Sequence, residues 1–571
     1  MKSASPTTGL RYWMLRVLKE CDKVAADFSA DPVHDLRVSL RRCRSMADGM
    51  MAMDPDPDWK VMKKAGKALF QRLGALRDVQ IMMDWTDQLE PKVEKANAEK
   101  PTSQADTKEA SVARALPSAG SGQALPASGQ EPSAVAEGGP DHQPTEAVDL
   151  PTRDRAAHAL LGILRQRETE QKREARAALS EFDRKQWRQW SKTLPQRAAH
   201  IRPGSIVFKH LALERWTAAR ELHNRAMRSR SQVALHAARI GLKRFRYIVE
   251  NFLPVEHKFW SNDLKRMQDL LGEVHDLDVL WATALSCRIF PDADSRRRWH
   301  DCIAAERSQR VAAYRDKMAG PDSLWTVWRA ALPQGKQIQQ IATRRMKLWA
   351  KVLDPDLAHS ERVARLALEL YDGLTRAGLL ALPGSRNGAN PGRVPESDMR
   401  PSLYVAALLH DVGKSKGDKG HHKESQELIK KHGVPLGWNE HEMQRAAIVA
   451  RFHRGALPRR GDKALRDLLP DEQRSVVQLS AILRLANALD ATHDGHIRHV
   501  KIENIVSPRR RANGFVRKPP AVGKDEAVVI AAEGYMPASD TAQTIAAERY
   551  LLETVLRRPV IVKPMKSAAS G

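Results

Sequence analysis

Histidine and aspartate residues with the character of metal ligands recur in the second half of this 571-residue sequence. The central pair is His410-Asp411, with His359 upstream and Asp490 downstream, each in a segment with helical periodicity. Neutral imidazole nitrogens and a hard carboxylate suit a divalent first-row metal, and a bridging aspartate can hold two ions. The ordered set therefore predicts a metal site formed by these four residues.

Further residues could complete such a site. His422 and His453 could supply a second ion. Because neighbouring helical residues point about 100° apart, only one of His421 and His422 is expected to ligate, and we assign His422. Lys414 and Arg454 could clamp phosphate oxygens, although Lys414 could equally be a solvated lysine at a helix end.

The chemistry expected of this set is metal-dependent hydrolysis of a phosphate ester or anhydride. Bound Mn²⁺, Mg²⁺ or Fe²⁺ would lower the pKa of a water molecule and polarise a phosphoryl group. In this interpretation Asp411 is both the bridging ligand and a catalytic residue, with Lys414 and Arg454 beside it. The same ligands could also bind a metal without turnover.

A duplicated segment points to a different chemistry. HDLRVSLRRCR begins at His34 and HAARIGLKRFR begins at His236, with basic residues at matching offsets. On a helix the first copy places Arg37, Arg41 and Arg44 on one stripe with its histidine, and the second places Arg239, Lys243 and Arg246 on another. Arg42 and Arg244 lie on the flanks of these stripes.

Such stripes are built to hold an anion. Like charges stacked along one helix face cost stability, and phosphate oxygens, which match guanidinium groups well, remove that cost. A solvated basic face is the alternative, but solvation does not require the same histidine at the same offset twice. A second motif, LGALRDV from Leu73 and LGEVHDL from Leu271, follows each stripe at a similar distance. We therefore predict ten polyanion-binding residues: His34, Arg37, Arg41, Arg42, Arg44, His236, Arg239, Lys243, Arg244 and Arg246.

The composition favours helices with charged outer faces, since 29% of the residues are charged and only 5% are aromatic. A net charge of +25 implies a polyanionic partner, which could be nucleic acid, an anionic membrane surface or a phosphate polymer. Residues 96–152 are rich in Ala, Pro, Ser and Gly and are expected to be a disordered insertion. Residues 382–400 are expected to be a loop. Scattered cysteines and a polar N-terminus favour a cytoplasmic protein.

Residues 9–333 resemble the CHAD family, on the strength of the two histidine motifs and the two LG-x-x-x-D segments. The resemblance implies two pseudo-symmetric four-helix bundles, here 9–199 and 200–333, around a groove that binds inorganic polyphosphate. It also implies association with polyphosphate granules. The long insertion departs from the family pattern, and His275 stands where the first copy has Arg77.

Residues 350–505 resemble the HD superfamily, and specifically the C-terminal part of the exopolyphosphatase and pentaphosphate-phosphatase family. HSERVARLALEL, LHDVGK, HHKESQELI, FHRGALP and LRLANALD carry this resemblance. It implies an all-helical metal-phosphohydrolase-like domain, followed at 506–571 by a small α/β tail. The actin-like domain that hydrolyses polyphosphate in that family has no counterpart here.

The sequence therefore predicts a mainly α protein and three candidate functions. The first is a polyphosphate-binding protein with an HD-type domain. The second is a metal-dependent phosphohydrolase acting on polyphosphate or phosphorylated nucleotides, with the basic bundles concentrating the substrate. The third, disfavoured by the few aromatic residues and the missing base-reading motifs, is nonspecific nucleic-acid binding. No membrane partner is expected.

Overall fold

The computed structural model describes residues 9–90, 154–229, 231–380, 399–459, 461–503 and 527–565. The predicted insertion at 96–152 lies outside these ranges, as does nearly all of the predicted loop at 382–400. No helix in the described ranges has the length and apolar character needed to cross a membrane.

Five helices form the first bundle, and the alternation of charged and apolar residues decides which face each one buries. In α2 the predicted packing face is buried, including Leu36, Leu40 and Cys43. Trp187 of α5 closes one side of the bundle, where its indole N–H donates to the Met14 carbonyl at 3.0 Å. Helices α1 to α5 span Leu10–Ala26, Ala30–Met50, Pro57–Leu89, Arg155–Ser180 and Arg184–Ala198.

The second bundle repeats the first. Helices α6 to α10 span Ile206–Ser229, Gln232–Phe252, Pro254–Ser286, Ala293–Met318 and Leu324–Ala330. Both α2 and α7 have 21 residues, both α3 and α8 have 33, and both α4 and α9 have 26. The predicted pair of similar helical bundles is therefore present, and each has five described helices where the resemblance implied four.

The two bundles meet where α2 contacts α7 and α3 contacts α8. Gly49 of α2 makes this approach possible, because a Cβ at that position would lie only 2.3 Å from the Phe252 ring. Arg42 of α2 pairs with Glu250 of α7, and Asn251 donates to the Ser45 hydroxyl at 2.7 Å. The equivalent helices of the repeat thus form the seam between the bundles.

The third region is also helical and ends in a small sheet. Helices α11 to α16 span Gln337–Leu353, Leu357–Arg376, Arg400–Leu408, His421–His432, Glu440–Arg451 and Pro470–Leu489, with a 3₁₀ helix at Val412–Lys416 between α13 and α14. Strands β1 to β3 span Val500–Glu503, Val528–Ala532 and Val560–Pro564, and α17 (Asp540–Glu548) and α18 (Tyr550–Leu556) lie before β3.

The sheet has the order β1-β2-β3, antiparallel between β1 and β2 and parallel between β2 and β3. Val500 pairs with Ala532, and Val528 pairs with Val560. Gly373 of α12 lets this sheet pack closely, because a Cβ there would lie 2.5 Å from the Ile502 side chain. The predicted mainly α fold with a small α/β tail is confirmed.

Helix α11 attaches the third region to the second bundle through buried polar contacts. Arg345 of α11 is 5% exposed and lies 2.7 Å from the Glu214 carboxylate of α6. The same guanidinium donates to His210 Nδ1 at 2.7 Å, and His210 Nε2 donates to the Leu436 carbonyl at 2.9 Å. These contacts connect a bundle helix, α11 and the loop after α14.

Candidate functional site

The basic stripes of α2 and α7 each lie against the glycine of an LG motif. Arg37 donates to the carbonyls of Leu73 and Gly74 at 3.4 and 3.2 Å. In the second copy the Arg239 Nε lies 3.9 Å from the position that a Cβ on Gly272 would occupy. In both copies the first arginine of the stripe therefore lies beside the glycine of the LG motif on the neighbouring helix.

The two stripes face each other. Burial, followed by the charges of Arg239, Arg41 and Arg37, lowers the pKa of Lys243 to about 8. Arg37 and Arg41 belong to the first copy and Lys243 to the second, so the cations of both copies share one groove. Tyr247 lies between them, with its ring centroid 5.3 Å from the Arg41 guanidinium carbon and 5.9 Å from Lys243 Nζ.

Arg41 lacks a full set of acceptors in this groove. Its Nε is buried and, within the described ranges, makes no hydrogen bond. A buried donor without an acceptor costs free energy, and an anion entering the groove would relieve that cost.

Other predicted binding residues have different neighbours. Arg42 pairs with Glu250 across the seam, and Arg246 lies 3.9 Å from the same carboxylate. Arg44 stacks on a phenylalanine ring at 4.9 Å, and Arg244 is exposed on the flank. The surroundings of these residues therefore differ from those of Arg41 and Lys243, which both lie against Tyr247.

The groove also contains residues outside the ten predicted binding residues, namely Asp78, Asp276 and His275. Burial raises the pKa of Asp276 to about 6; Arg239 opposes this shift and Asp78 adds to it. His236 and His275 approach each other at 3.2 Å between their Nδ1 atoms, and burial lowers the pKa of His275 to about 4. Both aspartates end an LG-x-x-x-D motif, so the repeat contained a signal for them.

The second candidate site contains three buried histidines that are oriented in the same way. In each ring Nδ1 faces a backbone carbonyl three residues upstream. A carbonyl can only accept a hydrogen bond, so Nδ1 carries the proton and the neutral ring leaves a lone pair on Nε2. The three contacts are His410 to Ala407 at 2.7 Å, His421 to Asp418 at 2.8 Å and His453 to Ala450 at 2.7 Å.

The three lone pairs converge on Asp411. The Nε2 atoms of His421, His453 and His410 lie 3.1, 3.6 and 3.5 Å from its carboxylate oxygens. His421 Nε2 and His453 Nε2 are 3.2 Å apart, where two lone pairs repel. Burial lowers the pKa values of His410 and His453, so protonation of these rings does not readily relieve the repulsion.

The donor set therefore fits a divalent cation. Histidines whose Nδ1–H is fixed by a carbonyl while Nε2 faces the centre have the usual arrangement around a bound metal. His410 Nε2 is buried and has no hydrogen-bond partner among the described residues. Imidazole nitrogens with one carboxylate suit Zn²⁺, Mn²⁺ or Fe²⁺ better than a purely oxygen-bound ion.

A tight turn positions the central pair. His410 and Asp411 follow α13, and the Ser425 hydroxyl of α14 donates to the His410 carbonyl at 2.6 Å. The Gly413 N–H donates to that hydroxyl at 2.9 Å, and a Cβ on Gly413 would lie 2.1 Å from the His421 carbonyl oxygen. Glycine is therefore required at this position of the HD-x-G sequence.

His359 and Asp490 form the edge of the site. His359, His410 and Asp411 have donor atoms within 4.8 Å of one another, whereas Asp490 belongs to neither ligand group in the described ranges. The Asp490 carboxylate lies 2.7 Å from His359 Nδ1 and accepts from Arg362 Nε at 2.9 Å. In this arrangement Asp490 orients His359, which differs from the predicted role as a ligand.

The remaining predicted residues are placed as follows. His422 is half-buried with its ring centroid 6.5 Å from that of His453. His421 contacts Asp411, and it is His421 that belongs to the group of residues that could hold a metal ion. The helix begins at His421, and this directs the first of the two rings inward. Lys414 lies 2.5 Å from an Asp411 oxygen, and Arg454 is exposed.

These two sites define the chain as a mainly helical protein with a duplicated cationic module and a histidine–aspartate centre. Residues 14–285 match the family model described as the CHAD domain, and residues 340–513 match that of the Ppx/GppA phosphatase, domain III. No curated protein matches the chain. The chain therefore combines a CHAD domain with a Ppx/GppA domain III, and this combination fits a polyphosphate-related, phosphatase-type function.

Proposed function

We propose that the chain binds inorganic polyphosphate in the groove between α2 and α7. The observation that carries the proposal is the convergence of Arg41, Arg239 and Lys243 from the two copies. Arg41 and Lys243 lie against the same Tyr247 ring, and burial, followed by the charges of the neighbouring arginines, lowers the pKa of Lys243. A polymer with one negative charge per phosphate would neutralise cations from both bundles at once.

The test is retention on immobilised long-chain polyphosphate. We expect the triple variant Arg41→Ala, Arg239→Ala, Lys243→Ala to lose most of its binding. Arg37 is left in place because it also donates to the backbone of α3. If this variant were retained as strongly as the unmodified chain, the proposal that polyphosphate binds in the groove would be refuted.

A control of equal charge change separates the groove from overall charge. It replaces three exposed arginines at the start of α9, Arg296, Arg297 and Arg298, with alanine. We expect this variant to retain polyphosphate. Duplex DNA at the same salt concentration tests the nucleic-acid hypothesis, since binding driven by charge alone would retain both polymers and would respond equally to both triple variants.

A second function is favoured by the three Nε2 lone pairs that converge on Asp411. We infer a metal-dependent phosphohydrolase centre at His410, Asp411, His421 and His453, with His359 at its edge. A divalent ion bound there would activate water and polarise a phosphoryl group. Asp411 would hold the ion, and Lys414, released from its pairing with Asp411, would be placed to contact phosphate oxygens. Polyphosphate and phosphorylated nucleotides are the candidate substrates.

Phosphate release from polyphosphate or from guanosine tetra- and pentaphosphate, with Mn²⁺ or Mg²⁺, tests this function. We expect Asp411→Ala and chelation to abolish release while polyphosphate retention is unchanged. Release that persists in Asp411→Ala would contradict the assignment. Retention without any release would leave a binding protein, in which the centre has a structural role. Location in the cytoplasm, including at polyphosphate granules, is part of the same proposal.

A further inference from the structure

A cleft of about 840 Å³ lies where the bundles meet the third region. Its walls come from the connection between α2 and α3, from α6 and α11, from the end of the 3₁₀ helix, and from α14 with the loop after it. Neither the cations of the groove nor the histidines around Asp411 line it. It is therefore separate from both sites described above.

The lining of the cleft is cationic. It contains two acids, Glu214 and Glu221, and Glu214 is already paired with Arg345 at 2.7 Å. Lys416 and Lys431 are exposed and form no ion pair in the ranges that the structure describes. The four basic residues of the lining are Arg215, Arg345, Lys416 and Lys431.

Two buried donors in the same lining lack acceptors. Arg345 is 5% exposed and Trp438 is 8% exposed. The Arg345 Nε and the Trp438 Nε1 are both without a hydrogen-bond partner in the described part of the chain. Buried N–H groups are nearly always paired in folded proteins, so two orphaned donors in one cleft indicate a ligand that is rich in acceptors.

Much of the remaining lining is apolar. The partly exposed Leu353 and Leu428 contribute aliphatic surface, and the Trp349 ring also lines the cleft. A phosphate alone would leave this surface uncovered, whereas a ring attached to phosphates would cover it. The volume lies within the usual range for small-molecule sites.

We infer that this cleft binds a nucleotide, with its phosphates toward Lys416 and Lys431 and its ring against the leucines. This site is independent of the function proposed above. Lys416 ends the 3₁₀ helix that follows Asp411. Helix α6 packs closely along α7, because a Cβ on Gly241 would lie 3.1 Å from the Ala219 Cα. An occupant would therefore contact elements that carry both of the other sites.

Binding of ATP and GTP to the full chain, measured by calorimetry, tests the inference. The groove variant Arg41→Ala, Lys243→Ala is used as the background, so that binding in the groove does not contribute. We expect one molecule per chain, and an affinity at least tenfold lower when Lys416→Ala and Lys431→Ala are added. Lys430→Ala, on the same helix but paired with Glu427 outside the cleft, is the matched control and should bind normally.

Three results would overturn the inference. The first is an absence of nucleotide binding up to millimolar concentration. The second is equal binding by the Lys416→Ala, Lys431→Ala variant and its Lys430→Ala control. The third is inorganic tripolyphosphate binding as tightly as ATP, which would remove the role of the apolar wall. The variants are expected to fold, because the four substituted residues are at least partly exposed: Arg41, Lys243, Lys416 and Lys431. A melting curve checks that they do.

Discussion

Alanine substitutions at two neighbouring arginines of α2 should affect different properties. Arg41→Ala should lower the affinity for polyphosphate, and Arg42→Ala should lower the stability of the fold. The Arg41 guanidinium faces the groove cations and stacks on Tyr247, and it forms no ion pair among the described residues. The adjacent Arg42 pairs with Glu250 and donates to Asn251 at 3.3 Å across the seam. The first arginine is thus available to a ligand and the second is used by the fold.

The expected magnitudes follow from these contacts. A charge-assisted hydrogen bond to phosphate contributes about 1.5–3 kcal/mol, so Arg41→Ala should weaken polyphosphate binding by about 10- to 150-fold. Its effect on folding should stay within about 1 kcal/mol, because lost stacking is offset by reduced repulsion. Arg42→Ala leaves Glu250, whose side chain is 7% exposed, with Arg246 at 3.9 Å as its one ion-pair partner among the described residues. That change should cost about 2–3 kcal/mol of stability.

Urea unfolding gives the stability, and competition against a labelled polyphosphate gives the affinity at two salt concentrations. The affinity of Arg41→Ala should also depend less steeply on salt, since one cation fewer contacts the polymer. If Arg42→Ala lost affinity as strongly as Arg41→Ala while its unfolding midpoint stayed unchanged, the division between groove and seam would be wrong.

Three further predictions follow from the two sites. Polyphosphate affinity should rise in two steps as the pH falls from 9 to 5. Lys243, with a pKa of about 8, gains its charge in the first step, and Asp276, with a pKa of about 6, loses its charge in the second. When affinity is measured against pH, Lys243→Arg should lack the first step and Asp276→Asn the second. Mn²⁺ should raise the melting temperature of the chain by several degrees, and Asp411→Ala should abolish this shift whereas His422→Ala should keep it. Gly413→Ala should lower the free energy of unfolding by about 3 kcal/mol or more, because its Cβ would overlap the His421 carbonyl oxygen. The variant should also lose the Mn²⁺-dependent rise in melting temperature. An unaltered melting curve would contradict the role given to the turn.

The duplicated architecture could be predicted from sequence because two motifs recur in order at nearly equal separations. The separations are 40 residues from His34 to Gly74 and 36 from His236 to Gly272. They correspond in the structure to arginines lying across the LG glycines of α3 and α8. Amphipathic periodicity likewise predicted which faces are buried, since it depends only on local geometry.

The division of roles within each stripe could not be predicted in this way. A helical angle gives the direction of a side chain from its own axis, but not the neighbour that it meets there. Arg42 lies on the flank of the stripe, and only the packing of α2 on α7 places Glu250 opposite it. The pairing of Arg362 with Asp490 is similar, because α12 and the end of α16 are separated by more than 100 residues in sequence.

The choice between His421 and His422 depended on where a helix begins. Both residues carry the same side chain, and periodicity showed only that one of them could face inward. Because α14 starts at His421 after the left-handed Gly420, with φ of 80°, the first ring points to Asp411. One residue of difference in a helix start thus changes the ligand assignment.

The exchange of Arg77 for His275 between the two copies distinguishes the halves of the groove. In a dimer of identical subunits a single substitution would alter both ends of the shared channel together. Because the two copies lie in one chain, each end of the groove can change alone. One end can therefore carry a permanently charged guanidinium and the other a pair of imidazoles. Under the proposed function, a bound polyphosphate chain, whose two ends are chemically identical, would have those ends in different surroundings.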